Sequence, residues 1–193
     1  MQTATQKGLE LVKYSIDKTA SRFTVQAFAT GLLSAFGHNP TIAIRDYEGE
    51  IQFVSGAYEK ALVRLTLQTS ALEVLDEMKS DDRKKLEYEM NENVLDVKHF
   101  PSAVYQSKEI SVQKLSDDLL QAQVTGDLLF HGVTQTQSLL ARVTNLNALL
   151  RISGGFSLRQ SDFGIRPLSF AAGTLRLKDE VKFNFELLAR KQV

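Results

Sequence analysis

The run LQAQVTGDLLF, from Leu120 to Phe130, decides the fold of this chain. Its even-numbered positions are apolar or glycine, and most odd-numbered positions between them are polar. Because successive side chains of a β-strand point to opposite faces, this pattern predicts a strand with one buried and one wet face. The same alternation recurs in residues 23–27, 63–68 and 181–187. Repeated strands of this kind indicate an antiparallel sheet with one face on the core.

Several of these runs lie close together and are separated by short segments containing Gly or Asp. We predict hairpin turns at residues 46–50, 115–118 and 178–180. Gly154 and Gly155 interrupt another apolar run, which predicts a bend or a bulge. Many long strands with few helices indicate a closed barrel, because closure removes the exposed edges of a sheet.

Residues 80–94 break the alternation. Leu86, Met90 and Val94 recur at helical spacing within a charged segment, and Ser80 or Asp81 is placed to cap its start. The pattern predicts an amphipathic helix, which either packs on the barrel as a lid or binds a partner. A strand is expected to follow Pro101, because proline cannot lie inside a central ladder.

Composition sets limits on the class of protein. A length of 193 residues favours a single domain, which we assign to residues 11–193 after a flexible N-terminus at residues 1–10. The 23 basic and 23 acidic residues balance, so no electrostatic footprint for nucleic acid is present. The chain has no cysteine, which excludes disulfides, thiolate metal sites and a cysteine nucleophile.

The sequence also bears on location. It contains no run of the ~18 apolar residues that a spanning helix needs, so we expect no stable membrane insertion. The N-terminal residues lack the apolar core of a secretory signal. We therefore expect a cytoplasmic protein from the sequence as given, and a periplasmic one if the chain has been trimmed.

Two groups of polar side chains are candidates for a binding site. His38 and His131 each lie beside a glycine, and Arg159 and Asp162 lie three residues apart. The histidine rings either pack at a barrel mouth and bond the backbone, or they join Asp162 in a metal site of a metal-dependent enzyme. Arg159 and Asp162 form either an ordinary ion pair or a polar cluster that meets a phosphate or carbonyl.

Other signs of catalysis are missing from the sequence. No serine lies in a G-x-S-x-G elbow, no glycine-rich phosphate loop occurs, and no carboxylate pair can be assigned as acid and base. We therefore expect no enzymatic activity, no metal and no obligatory cofactor. The eleven phenylalanines and absence of tryptophan indicate either a filled aromatic core or a barrel wide enough for an elongated apolar ligand.

Several short motifs occur in an order that resembles one known family. They include Tyr14-Ser15-Ile16-Asp17, the Gly37-His38 pair, Phe100-Pro101 followed by Tyr105, and Gly126-Asp127-Leu128 followed by His131-Gly132-Val133-Thr134. Ser161-Asp162-Phe163-Gly164-Ile165 and Asp179-Glu180-Val181 complete the series. Over almost the whole chain the sequence resembles the YceI-like family of lipocalin-like, polyisoprenoid-binding proteins.

The resemblance implies an all-β fold: an extended eight-stranded antiparallel lipocalin-like barrel with one helical insertion, often a homodimer. It also implies an internal channel for an isoprenoid chain. The candidate head-group residues are His38, His131, Arg159 and Asp162. The candidate lining residues of the channel are Phe23, Phe53, Val63, Leu65, Tyr105, Val124, Leu128, Phe130, Phe156, Phe163, Phe183 and Phe185.

Three hypotheses about function follow. The first is non-enzymatic binding or carriage of a long polyisoprenoid lipid, such as a prenyl diphosphate or a prenylated quinone. The second is a metal-dependent enzyme that uses His38, His131 and Asp162. The third is a carbohydrate- or protein-interaction module that uses the barrel exterior, and it predicts a core completely filled by side chains.

Overall fold

The computed structural model describes residues 10–30, 39–146, 148–170 and 175–192. Within those ranges the chain forms one α-helix, α1 (Ser80–Glu89), and fourteen β-strands. The strands are β1 (Leu11–Ile16), β2 (Arg22–Gln26), β3 (Ala29–Thr30), β4 (Thr41–Ile44), β5 (Tyr47–Val54), β6 (Ala57–Gln68), β7 (Leu72–Val74), β8 (Ser102–Lys114), β9 (Leu119–Phe130), β10 (Val133–Asn145), β11 (Leu149–Arg159), β12 (Ser169–Phe170), β13 (Leu175–Leu177) and β14 (Glu180–Lys191). A turn of π-helix, Met90–Val94, follows α1, and 3-10 turns lie at Lys18–Ala20 and Gln160–Phe163.

Eight antiparallel strands form a closed barrel. Their order around the barrel is β1, β5, β6, β8, β9, β10, β11 and β14, and the pairing of β14 with β1 closes the ring. The pairing of β9 with β10 runs without a shift from Phe130–Val133 to Leu119–Thr144. This arrangement confirms the prediction of an eight-stranded antiparallel barrel with one helical insertion.

The alternating pattern places side chains as predicted. Val124 and Phe183 are buried, whereas Gln123, Lys182 and Asn184 are exposed. Along β14 every odd-numbered residue from Val181 to Ala189 is buried, and Phe23, on the adjacent β2, packs edge-on against Phe183 and Phe185. The core is therefore the interior of the barrel, built from one face of each strand.

The turns were predicted with mixed success. Residues 115–118 connect β8 to β9 as a hairpin, as expected. The turn at 46–50 is wrong, because the chain continues directly from β4 into β5, which pair with different strands. The hairpin at 178–180 is also wrong, because β13 pairs with β3 and β12 rather than with β14. In both cases the chain passes from one sheet region to another instead of folding back on itself.

Gly154 and Gly155 do not form the predicted bend or bulge. Both lie in unshifted pairings of β11 with β10 and β14. A β-carbon on Gly155 would lie 2.5 Å from the carbonyl oxygen of Phe183. Glycine therefore serves close approach between strands here, whereas the bulges occur at Gln52–Val54 and Ser107–Glu109.

At one end of the barrel, β2, β4 and β7 extend the sheet beyond the closed ring. We call this the upper end, and the opposite one, which carries the β5–β6, β8–β9 and β10–β11 turns, the lower end. The outer edge of β7 faces α1, where the backbone N–H of Val74 donates to the Glu87 carboxylate at 3.1 Å. An open sheet edge is thus covered by the helix.

The helix itself follows the predicted stripe. Leu86 and Met90 pack with Ile42 and Val74 in a small second core, and Val94 packs against the main one. This is the lid arrangement. The predicted cap is wrong, since Lys79 occupies the capping position without a side-chain hydrogen bond. Acidic residues instead lie in the first turn, where their negative charges interact favourably with the positive end of the helix dipole.

Candidate ligand cavity

The lower half of the barrel contains a cavity of about 160 Å³. Its walls are formed by the inward faces of the barrel strands β5, β6, β8, β9, β10, β11 and β14, and by β2. Strand β1 contributes only its last residue, Ile16. The apolar lining includes Phe23, Phe53, Val63, Leu65, Tyr105, Val124, Leu128, Phe156 and Phe185. Alternation along β9 and β10, and along β8 on either side of its bulge, produces this surface, because most inward positions carry an aliphatic, aromatic or amide side chain.

The upper half contains a second cavity of about 140 Å³. Residues Met90, Val94 and Leu95 of the helical insertion form part of its wall, opposite Phe130, Phe156 and Phe183. Leu67, Ala103, Leu128 and Phe156 line both cavities. The two cavities are therefore adjacent compartments that follow one another along the barrel.

The walls of these compartments are almost entirely apolar. None of the described residues that line them carries a formal charge at neutral pH. Amide and hydroxyl groups occur at a few points, namely Tyr58, Tyr105, Gln137 and Asn145 below and Gln68, Thr69 and Gln160 above. Burying an unpaired charge among such side chains would be costly, so the space suits an uncharged, elongated molecule.

Tyr105 is a buried member of this polar set. Its hydroxyl donates to the carbonyl oxygens of Val124 and Gln137, at 3.2 and 3.3 Å. Burial first, and then the negative charge of Asp127, raises the pKa of Tyr105 to about 12. The phenol is therefore protonated and neutral at physiological pH.

Eleven of the twelve predicted lining residues lie on the walls of the two compartments. The exception is Phe163, which is buried outside them and packs on Phe130 with ring centroids 5.5 Å apart. Sequence reasoning missed Ile165, Leu168 and Leu177, which lie outside the long alternating runs. It also missed Gln137 and Asn145, although they continue the odd-numbered face of β10.

Of the predicted head-group residues, His38 lies outside the described residues. His131 and Gly132 form the β9–β10 turn, with φ of +50° and +75°. Positive φ at both central positions matches a type I′ hairpin turn. The Nδ1 atom of His131 lies 3.1 Å from the carbonyl oxygen of Phe163, and its ring packs on Phe100 with a centroid distance of 4.2 Å.

Arg159 and Asp162 lie on either side of the start of the 3-10 turn that follows β11. Both line a polar surface cleft of about 280 Å³, together with Gln135 and Glu180. The Gln135 amide donates to the carbonyl oxygen of Asp162 at 3.1 Å. The structure thus brings these two residues together, but neither they nor His131 lines the internal compartments.

Two further features concern metal binding and the membrane. Among the described residues, no group of three or more His, Asp or Glu side chains is arranged to hold a metal ion. In the same part of the chain, the helix is too short and polar to span a bilayer.

The comparisons with known proteins agree with this geometry. The family model of the YceI-like domain matches residues 14–189, so the chain belongs to the YceI-like family. No curated protein matches it.

Solved structures share the fold at low sequence identity. BcnA of Burkholderia cenocepacia has a TM-score of 0.70 at 16% identity, covering 90% of this chain and 98% of that one. A polyisoprenoid binding domain from Saccharophagus degradans, implicated in plant cell wall breakdown, has a TM-score of 0.68 at 15% identity, with 93% and 98% covered. The YceI protein of Campylobacter jejuni has a TM-score of 0.63 at 17% identity, with 81% and 88% covered.

Proposed function

We propose that this protein binds and carries a polyisoprenoid lipid inside its barrel without catalysing a reaction. The observation that carries the proposal is the pair of adjacent compartments, with shared wall residues, whose described lining is uncharged. Membership of the YceI-like family supports it, as does structural similarity to a polyisoprenoid binding domain.

The tail would bind by burial of apolar surface. Each CH₂ group removed from water contributes ~0.8 kcal/mol, so several isoprene units outweigh an association cost of several kcal/mol. The compartments extend along β9 from Leu120 to Phe130. Ten residue steps at about 3.3 Å correspond to roughly 33 Å along the strand, which suits a chain rather than a compact ligand.

The uncharged walls also bear on the head group. A prenylated quinone can place its ring among apolar and amide side chains. A diphosphate head group must remain outside the compartments, because entering them would bury its negative charges without a partner. We therefore infer that the quinone-like class is preferred over the prenyl diphosphate class.

The compartments also distinguish the competing hypotheses. An interaction module with a completely filled core would lack such cavities. The metal-dependent hypothesis stays a prediction, because it includes His38, which lies outside the described residues. The polar cleft beside Arg159 remains a surface on which an interaction module could act.

Mass spectrometry of an organic extract tests the proposal. The protein is purified without detergent, and an equal amount of a barrel-free protein from the same cells is extracted as a control. We expect a co-purified lipid with a prenyl tail in near-stoichiometric amount. If the extract is empty and the protein also fails to bind an added fluorescent prenyl probe, the proposal is wrong. Light scattering on the same sample tests the predicted homodimer.

A further inference from the structure

Three exposed leucines lie at the lower end of the barrel. Leu11, Leu115 and Leu146 have relative exposures of 55%, 45% and 49%. Leu115 and Leu146 stand at turns between strands, where polar residues are usual. We call these three residues the leucine rim. Single exposed leucines are ordinary, but three around one barrel end call for a partner.

Backbone hydrogen bonds fix the segments that carry the rim leucines. The N–H of Asn145, next to Leu146, donates to the carbonyl oxygen of Asp118 in the turn that begins with Leu115, at 2.8 Å. The N–H of Ser55 donates to the carbonyl oxygen of Glu10, next to Leu11, at 3.1 Å. The leucines are thus fixed on hydrogen-bonded turns and strand ends.

The rim continues into the lower compartment. Asn145 directly precedes Leu146 and lines the compartment, as do Leu120 and Leu150, which follow the same two turns. The apolar wall of the cavity therefore reaches the strand ends that carry the exposed leucines. A lipid tail that leaves a bilayer at this end would pass from one apolar surface to another.

Two ion pairs lie near the rim. Lys114 lies 2.8 Å from Asp117, and Lys191 lies 3.6 Å from Glu10. Each of these two pairs joins a basic and an acidic side chain, so neither presents a net positive charge to anionic lipid. The chemistry at this end therefore fits the apolar and zwitterionic surface of a neutral bilayer.

We propose that the leucine rim docks the barrel end-on against a lipid bilayer, so that cargo enters the lower compartment from the membrane. This proposal rests on the proposed function, because docking serves to bring lipid from the bilayer to the cavity. Insertion is shallow, since only side chains at turns and strand ends enter the interface.

Vesicle flotation tests the rim with phosphatidylcholine vesicles and the full chain. The variant is Leu115→Ser with Leu146→Ser. The matched control is Leu129→Ser with Leu140→Ser, which changes two outward-facing wall leucines of similar exposure, 43% and 51%. We expect the rim variant to lose binding by about tenfold or more, which corresponds to about 1.4 kcal/mol, and the control to retain it. Binding should change little with salt, because the proposed contact is made by apolar side chains.

Several results would overturn the proposal. Docking is refuted if wild-type protein floats no better than a protein without the rim, or if both double variants lose binding equally. A third result would assign the leucines to a contact with a second copy of the chain. In that case wild-type protein does not bind vesicles, and the rim variant is a monomer where wild type is a dimer. Titration with a soluble prenyl probe distinguishes failure of the docking proposal from failure of the proposed function. If wild-type protein binds the probe but not vesicles, only the docking is refuted. If wild-type protein does not bind the probe, the proposed function is refuted.

Discussion

Gly154 lies directly beside Phe185 in the pairing of β11 with β14. A β-carbon on Gly154 would be 2.8 Å from Cζ of Phe185 and 2.3 Å from the carbonyl oxygen of Leu140. The glycine therefore makes room for a ring that lines the lower compartment and for the neighbouring strand. The contact with the Leu140 carbonyl oxygen involves the backbone, so it cannot be relieved by moving the far end of a side chain.

The first prediction concerns this contact. Replacing Gly154 by alanine should destabilise the fold by about 1–3 kcal/mol, because overpacking forces Phe185 or the β10 backbone to shift. Urea unfolding measures the effect. Ser153→Ala is the control, since Ser153 is exposed on the same strand. Equal stabilities for the two variants would contradict the account of this glycine.

The second prediction concerns pH. Hydrogen bonds from the Thr19 side chain first, and then from Arg190, lower the pKa of Asp17 from 3.8 to about 2. The Nε atom of Arg190 lies 2.8 Å from the Asp17 carboxylate. A carboxyl with a lowered folded-state pKa contributes stability above its unfolded-state pKa and loses it as pH falls through the folded-state value.

Asp17→Asn should therefore lower the Tm above about pH 4, and the difference from wild type should shrink between about pH 4 and pH 2. Thermal melts across this range measure the change. Glu59→Gln, at an exposed position, serves as the control. A difference that persists unchanged at pH 2 would show that the loss comes from something other than this ionisation.

Much of the barrel could be predicted from sequence because period 2 is a local property. In β14 the same alternation that identifies the strand also identifies its buried face. The break between β4 and β5 could not be predicted in this way, because it depends on which distant strands accept each segment. Likewise, spacing alone could not tell on which side of the wall Arg159 and Asp162 lie, since their orientation depends on a 3-10 turn.

The third prediction concerns His131, whose head-group role stays a prediction. Its φ of +50° suits asparagine but strains a β-branched residue. We expect His131→Asn to cost less than about 1 kcal/mol and His131→Val to cost about 1–3 kcal/mol. Since the ring packs outside the compartments, probe affinity should change less than about twofold in His131→Asn. A tenfold loss of affinity in this folded variant would instead support the head-group assignment.

The fourth prediction concerns the lower compartment. Val124 is buried in mid-strand and lines that space, so Val124→Trp should fill it with a ring. We expect loss of prenyl-probe binding with a modest fall in Tm, because the ring occupies space left for the ligand. A packed core would instead give destabilisation of about 1–3 kcal/mol or more. Gln123→Trp, with the same bulk on the exposed face, should bind the probe as wild type does. Probe titrations and melts on both variants decide between these accounts, and unchanged affinity in a folded Val124→Trp protein would refute the internal channel.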